Sequence, residues 1–217
     1  MHAARLPEHH LTEEIILDYA AGAAAAPTEL AVATHLVFCP ACRARLGQAE
    51  ALGGALLAEL KAEPLAADAL TKVLARLDVP ASPPLVPPGP VGLPAPLRYL
   101  VDKPLAQLKW RPFMPGMWQY RLPMPSARGK ARLLWIKPGS AMPQHTHDGG
   151  ELTVVLHGSY TDELGAFRPG DIAITDETID HRPVADPGED CICLAVTEGP
   201  LRLTGPIGRL FDRFIPS

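Results

Sequence analysis

Eight prolines fall between residues 80 and 96 (Pro80, Pro83, Pro84, Pro87, Pro88, Pro90, Pro94 and Pro96), a density that neither a helix interior nor a central strand tolerates. Each ring fixes φ and removes a backbone donor. The stretch therefore reads as a semi-rigid, extended linker. It divides the 217 residues into an N-terminal domain over 1–79, the linker over 80–97 and a C-terminal domain over 98–217.

The two sides differ in texture. Before the linker, apolar residues recur at helical spacing. Residues 11–22 read as a first helix, with Glu13 and Glu14 suited to its N-terminal turn and Gly22 as its stop. Pro27-Thr28-Glu29 opens a second helix, a third runs from Pro40 to about Ala62, and a fourth spans Leu65 to Leu77. A bundle this small has a small core, so a metal tying its helices together would contribute folding energy. After the linker, short β-type runs are broken by Pro and Gly: Leu108–Trp110, Met117–Arg121, Ala131–Ile136, Leu152–Leu156 and Asp171–Thr175. Such runs build a sandwich or barrel, with Trp110, Trp118 and Trp135 read as core. The apolar, Arg-spaced tail Leu201–Phe214 fits a short helix.

The first chemical motif is His35-Leu-Val-Phe-Cys39-Pro-Ala-Cys42. Its spacing keeps three side chains on one side of a helix–turn–helix path. Pro40 suits a first helical position. That leaves Cys39 at the N-cap and Cys42 in the first turn, where free amides and the helix dipole favour thiolate. Two sulfurs and one imidazole make most of a tetrahedral Zn²⁺ site. The fourth donor should be a nitrogen, and His10, directly before a helix start, is preferred to His9. A metal-free dithiol centre would want a strand–helix context; inert packing of the two cysteines is the other alternative.

A second donor set lies in the β region: His145-x-His147, then Glu151 after Asp148-Gly149-Gly150. On a strand the two histidines share a face, and a turn at the glycines brings the carboxylate back to them. Two imidazoles and a carboxylate hold a divalent metal such as zinc, manganese, iron or nickel. Surface histidines are the bland alternative. Cys191 and Cys193 share one face of a strand and read as buried packing, with an oxidation-sensitive role behind it.

The pattern His10, His35-x3-Cys39-x2-Cys42 resembles the zinc-binding anti-sigma factor domain. Followed by Gly139-x5-His145-x-His147-x3-Glu151-x6-Gly158, which matches the first cupin motif, the chain resembles the ChrR-type anti-sigma factors over nearly its whole length. The second cupin motif is degenerate: Gly170 and His181 hold their places, whereas Asp176, Thr178 and Ala185 replace its usual Pro, Gly and Asn. The resemblance carries His181 over as a fourth cupin ligand. It implies a zinc-stabilised all-α bundle followed by an all-β cupin (double-stranded β-helix, jelly-roll) barrel. It also implies a group IV (extracytoplasmic-function) sigma factor as partner. Zn²⁺ is expected on His10, His35, Cys39 and Cys42, with a second divalent metal in the cupin, zinc before manganese or iron.

Composition narrows the classes. A content of 47% hydrophobic and 20% charged residues describes a globular protein. A net charge of −4 without a basic block argues against direct nucleic-acid binding. Residues 1–10 lack a signal-peptide core, and no apolar run is long enough to span a membrane. Four cysteines in two close pairs suit metal binding in a reducing compartment, hence the cytoplasm. By resemblance, the chain inhibits its sigma factor until the cupin senses oxidative stress, singlet oxygen or organic hydroperoxide. The route is open between direct loss of the bundle metal and a shift of the cupin against the bundle. A metal-dependent cupin oxygenase with an accessory zinc module is the alternative, although no acid/base apparatus accompanies its ligands. The apolar stripe of the fourth helix either wraps the partner or closes the bundle internally.

Overall fold

A computed structural model describes residues 5–77, 92–124 and 128–204. Helices α1 (Glu13–Ala20), α2 (Ala26–Phe38), α3 (Pro40–Ala58) and α4 (Ala69–Leu77) come first, and a short α5 (Ala95–Arg98) leads into the β region. There the described residues form β1 (Arg111–Met114), β2 (Met117–Arg121), β3 (Lys130–Ile136), β4 (His145–His147), β5 (Glu151–His157), β6 (Tyr160–Asp162), β7 (Gly165–Phe167), β8 (Ile172–Thr175), β9 (Val184–Ala185), β10 (Cys191–Thr197) and β11 (Leu201–Leu203). All pairings are antiparallel, and the main sheet runs β1-β2-β3-β10-β5-β8. Opposite it lie β11-β4 and β7-β6-β9, tied across the gap by the bridge between His145 and His181. This is a cupin barrel behind a helical N-terminal region.

The helix starts follow local chemistry. Thr12 caps α1 by accepting from Ile15 N–H at 3.3 Å. Cys39 closes α2 and opens α3, with Pro40 directly after it. The third helix ends at Ala58 rather than near Ala62, and the fourth begins at Ala69 rather than Leu65. Pro64 and the exposure of this whole stretch remove any tertiary support for those extra turns. Leu108–Trp110 is not a strand: a 3-10 turn at Leu105–Gln107 precedes it, and Trp110 Nε1–H folds back to donate to the Leu105 carbonyl at 2.7 Å. Trp110, Trp118 and Trp135 are half-buried; Trp110 packs against the main core and meets Trp135 edge to face, and Trp118 lies tilted against Trp135. Leu201–Leu203 is a strand paired with β4, and residues 205–214 of the expected tail helix lie outside the described residues, as do 80–91 of the proline stretch.

The hydrophobic core is shared by both regions. Helix α2 packs on α5, β5 and β10. One buried cluster contains Leu30, Val32 and Leu36 of α2, Leu97 of α5, and Leu133, Val154, Ile172 and Leu194 of the barrel. The helices thus lack a separate core of their own size; α2 uses the barrel as its other half. At the contact Gly170 adopts φ +93°, and a Cβ there would lie 2.7 Å from Phe38 Cβ. Only glycine fits that approach.

A helical substitution should therefore be felt in the barrel. Val32→Ala deletes two buried methyl groups and should cost about 2 kcal/mol. The loss should appear equally in helix ellipticity and in the fluorescence of the three tryptophans, all of which lie in the barrel.

Candidate metal centres

The first cluster forms where α1, α2 and α3 meet. His10, His35, Cys39 and Cys42 each offer one donor atom, all within 4.8 Å of one another. His10 Nδ1 lies 3.2 Å from Cys39 Sγ and 3.8 Å from Cys42 Sγ, while His35 Nε2 lies 3.3 Å from Cys42 Sγ. These separations approximate the edges of a tetrahedron around an ion with bonds of about 2.0–2.3 Å. His35 and both cysteines are buried, and His10 is exposed. His9 is not among the donors; its ring lies 4.2 Å from that of Phe167 in the barrel.

Surrounding groups hold these donors in place. A carbonyl only accepts, so the 2.8 Å contact of His35 Nδ1 with Gly170 O puts the proton on Nδ1 and leaves the Nε2 lone pair facing the sulfurs. Cys39 Sγ accepts from Cys42 N–H at 3.3 Å. Arg45 donates to the Leu11 carbonyl at 2.7 Å, fixing the chain beside His10, and Arg43 donates to the Leu36 and Val37 carbonyls at the end of α2. Burial pushes His35 down to about 4 and raises the Cys42 thiol.

The second cluster sits inside the barrel. His145 and His147 on β4, Glu151 at the start of β5, and His181 again place donors within 4.8 Å of one another. Gly149 makes the intervening turn at φ +94°. His145 Nδ1–H donates to the Pro143 carbonyl at 2.8 Å, and His181 Nδ1–H donates to Asp162 Oδ2 at 2.9 Å. Each frees Nε2 for the centre. The His181 Nε2 and both nitrogens of His147 are buried without a hydrogen-bond partner. His147 Nε2 lies 3.0 Å from Glu151 Oε2 without hydrogen-bond alignment, the spacing of two ligands on one ion. Orphaned, converging lone pairs of this kind fit a cation. Burial pushes His145 down to about 4. Burial would raise Glu151, but the contact with His147 and the neighbouring imidazoles outweigh it and hold the carboxyl low.

Beside this cluster is a cavity of about 60 Å³ lined by Met117, Leu134, Met142, Tyr160 and Cys193 together with His145, Glu151 and His181. It has room for a few waters or one small molecule. Cys191 and Cys193 lie back to back at 3.6 Å between sulfurs, both buried. His157 is exposed against Glu189.

Residues 102–202 match the family model described as the ChrR cupin-like domain. The anti-sigma-E factor ChrR of Cereibacter sphaeroides is 41% identical over 211 residues, covering 95% of this chain and 97% of that one. The chain belongs to the ChrR family of anti-sigma factors. Its structure is similar to the crystal structure of Rhodobacter sphaeroides SigE in complex with the anti-sigma ChrR, with TM-score 0.76 and 42% identity over 88% of this chain and 98% of that one. Together these matches cover nearly the whole chain.

Three supporting residues escaped the sequence reading. Asp162 orients His181 from the β6–β7 hairpin, and its side chain is fully buried. Gly170 orients His35. Asp171 takes two amide hydrogen bonds from the segment just before His10, Glu8 N–H at 2.6 Å and His9 N–H at 2.9 Å. Burial would raise this carboxyl, but the amides of His9, Arg168 and Glu8 hold it below its ordinary range. In sequence Gly170 was visible only as a position of the second cupin motif, and Asp171 only as the start of a strand.

Asp162→Asn should weaken metal binding at the barrel cluster about 10–100-fold, measured by chelator competition, with the N-terminal cluster unaffected. A pH dependence also follows for metal-free protein. His35 and His145 are folded with values near 4, whereas the unfolded chain takes up protons near about 6.5. Stability is full above about 6.5 and falls as pH drops towards about 4, by on the order of 3 kcal/mol per histidine. Urea unfolding after chelator treatment, at a series of pH values, measures this slope.

Proposed function

We propose that this chain binds and inhibits a group IV (extracytoplasmic-function) sigma factor through its N-terminal helices, held by Zn²⁺ on His10, His35, Cys39 and Cys42. In the same reading, the barrel holds a second divalent metal, zinc before manganese or iron, on His145, His147, Glu151 and His181. It senses oxidative stress, such as singlet oxygen or organic hydroperoxide, and ends the inhibition. The working division is 1–79, 80–97 and 98–217, in the cytoplasm. Four free thiols suit that compartment, and no helix of the described residues is long and apolar enough to cross a membrane.

The observation that carries the binding role is the uncovered apolar surface of α3 and α4. Leu52, Leu56 and Leu57 in the second half of α3, and Leu70, Val73, Leu74 and Leu77 along one stripe of α4, are all more than half exposed. Four apolar side chains at helical spacing on a nine-residue helix with no buried residue are a face awaiting a partner. The similar ChrR in its crystal structure is bound to SigE. Zinc supplies a rigid junction between α1, α2 and α3, from which these helices project; oxidation of a thiolate ligand removes its donor strength. The oxygenase alternative is set aside: the family is one of anti-sigma factors, and the small cavity has no acid/base pair beyond the metal ligands.

Cys39→Ala with Cys42→Ala should abolish capture of the sigma factor and lower metal content from two ions per chain to one, by elemental analysis and pull-down. Tight binding retained by that variant would contradict a structural zinc. Leu70→Asp with Leu74→Asp and Leu77→Asp should weaken capture by at least about 100-fold, since each lost apolar anchor is worth about 1–3 kcal/mol, while both metals stay bound.

A further inference from the structure

The barrel reaches the N-terminal cluster at three points, all on β7 and the turn that leads from it to β8. Its turn places the Gly170 carbonyl 2.8 Å from His35 Nδ1. The next residue, Asp171, is buried and divides its carboxylate: Oδ1 accepts from Glu8 N–H and His9 N–H, and Oδ2 accepts from Arg168 N–H at 2.9 Å. On β7, Phe167 stacks against His9 on one side, with ring centroids 4.2 Å apart, and against Tyr160 on the other, 4.9 Å apart. Tyr160 lines the cavity that contains His145, Glu151 and His181. Strand β8, which follows the turn, pairs Thr175 with Glu151. One connected segment, β7, its turn and β8, therefore touches a wall and a ligand strand of the barrel cluster, and both histidines of the other cluster or the residues next to them.

Burial makes these contacts specific. His10 is the one exposed donor of its cluster and sits on a segment of extended chain before α1, with no helix to hold it. Packing of Leu11 and of His9 on Phe167 holds this segment apolarly, and its hydrogen-bond anchors are Arg45, which grips Leu11 on the far side, and the Asp171 carboxylate, which takes the amides two residues and one residue before the ligand.

We infer that Asp171 is a positioning residue for the N-terminal metal centre, and that through the Gly170–Asp171 turn the cupin barrel sets how tightly that centre holds its ion. The carboxylate fixes the approach of His10, and the neighbouring carbonyl fixes the tautomer and ring plane of His35. Outer-sphere groups of this kind change metal affinity about 10–100-fold. A rearrangement at the barrel cavity that moves Phe167 or the turn would slacken both imidazoles together while leaving the two thiolates in place. The inference rests on the proposed zinc site and names the route by which the barrel acts on it.

The test uses the full-length chain loaded with zinc at both sites. Transfer of zinc to a chromogenic chelator is followed for wild type, Asp171→Asn, Glu8→Pro and the double variant. In Asp171→Asn the new NH₂ faces amide donors on one side, and in Glu8→Pro the strongest of those donors is gone without any change in the barrel. Each single variant should release the N-terminal zinc faster, about tenfold for Asp171→Asn, with the barrel zinc unchanged. The double variant should release it no faster than the worse single one, because both remove the same contact. Unchanged release in both single variants, or effects that multiply in the double, would overturn the inference. If Asp171→Asn fails to fold, Glu8→Pro alone decides by the same criterion. Wild-type protein with no zinc on Cys39 and Cys42 would instead sink the metal reading itself, a distinguishable result.

Discussion

Desolvated lone pairs with nowhere to go are what this structure is built around. Six of the eight converging donors are buried, and at the barrel cluster three ring nitrogens have no hydrogen-bond partner. Burying such groups without compensation costs several kcal/mol in total, more than a domain of this size can absorb at several places at once. A cation at each centre turns the same geometry from a liability into a cross-link. Nearby groups are arranged for that outcome: every donor histidine whose outer nitrogen has a partner gives it to a carbonyl or a carboxylate, so the inner nitrogen carries the lone pair.

The helices divide into two populations by what covers them. Helix α2 lies on β5 and β10 and is buried along most of its length, so its free energy is that of the barrel core. The second half of α3 and all of α4 bury nothing. Helices of this length are marginal by themselves, so the exposed half of α3 is held by its first half, which packs on α1 and α2 beside the cysteine–histidine cluster. Rigid support therefore lies on one side of the cysteine–histidine cluster and adaptable apolar surface on the other. That asymmetry suits a clasp, whose gripping part must rearrange around a partner while its hinge does not.

Much of this was legible in the chain because the chemistry is local. The spacing of His35, Cys39 and Cys42 lies within two turns of chain, and Pro40 marks the helix start beside them. His145, His147 and Glu151 span seven residues around a glycine turn. What stayed hidden depends on contacts at long range. Asp162 is 19 residues from His181, and Gly170 is 135 from His35; a lone Asp in a hairpin, or a Gly-Asp turn, has no pattern that announces a second partner. The same applies to the shared core. Leucine periodicity in α2 reads as bundle packing, since nothing in the helix says that a β-sheet will supply the opposing surface. The Leu108–Trp110 run was misread for a related reason: alternation looks like a strand even where a single indole hydrogen bond turns the chain back.

The two cysteine pairs also separate on physical grounds. Cys193 is held far above its ordinary range by hydrogen bonding with Cys191 and by burial, and carries almost no thiolate. Thiolate is the reactive form, so this pair behaves as packing within the barrel core. Cys39 and Cys42 are equally shielded from solvent, yet they occupy the first turn of α3, where Cys42 N–H already donates to Cys39 Sγ. A cation on the four donors would keep both as thiolates while occupying the lone pairs that an oxidant would attack. The one exposed member, His10, is then the natural point at which the centre opens, since the other three are buried. Reactivity of the sulfurs is thereby subordinate to the hold on an imidazole, and that hold is in the hands of the barrel.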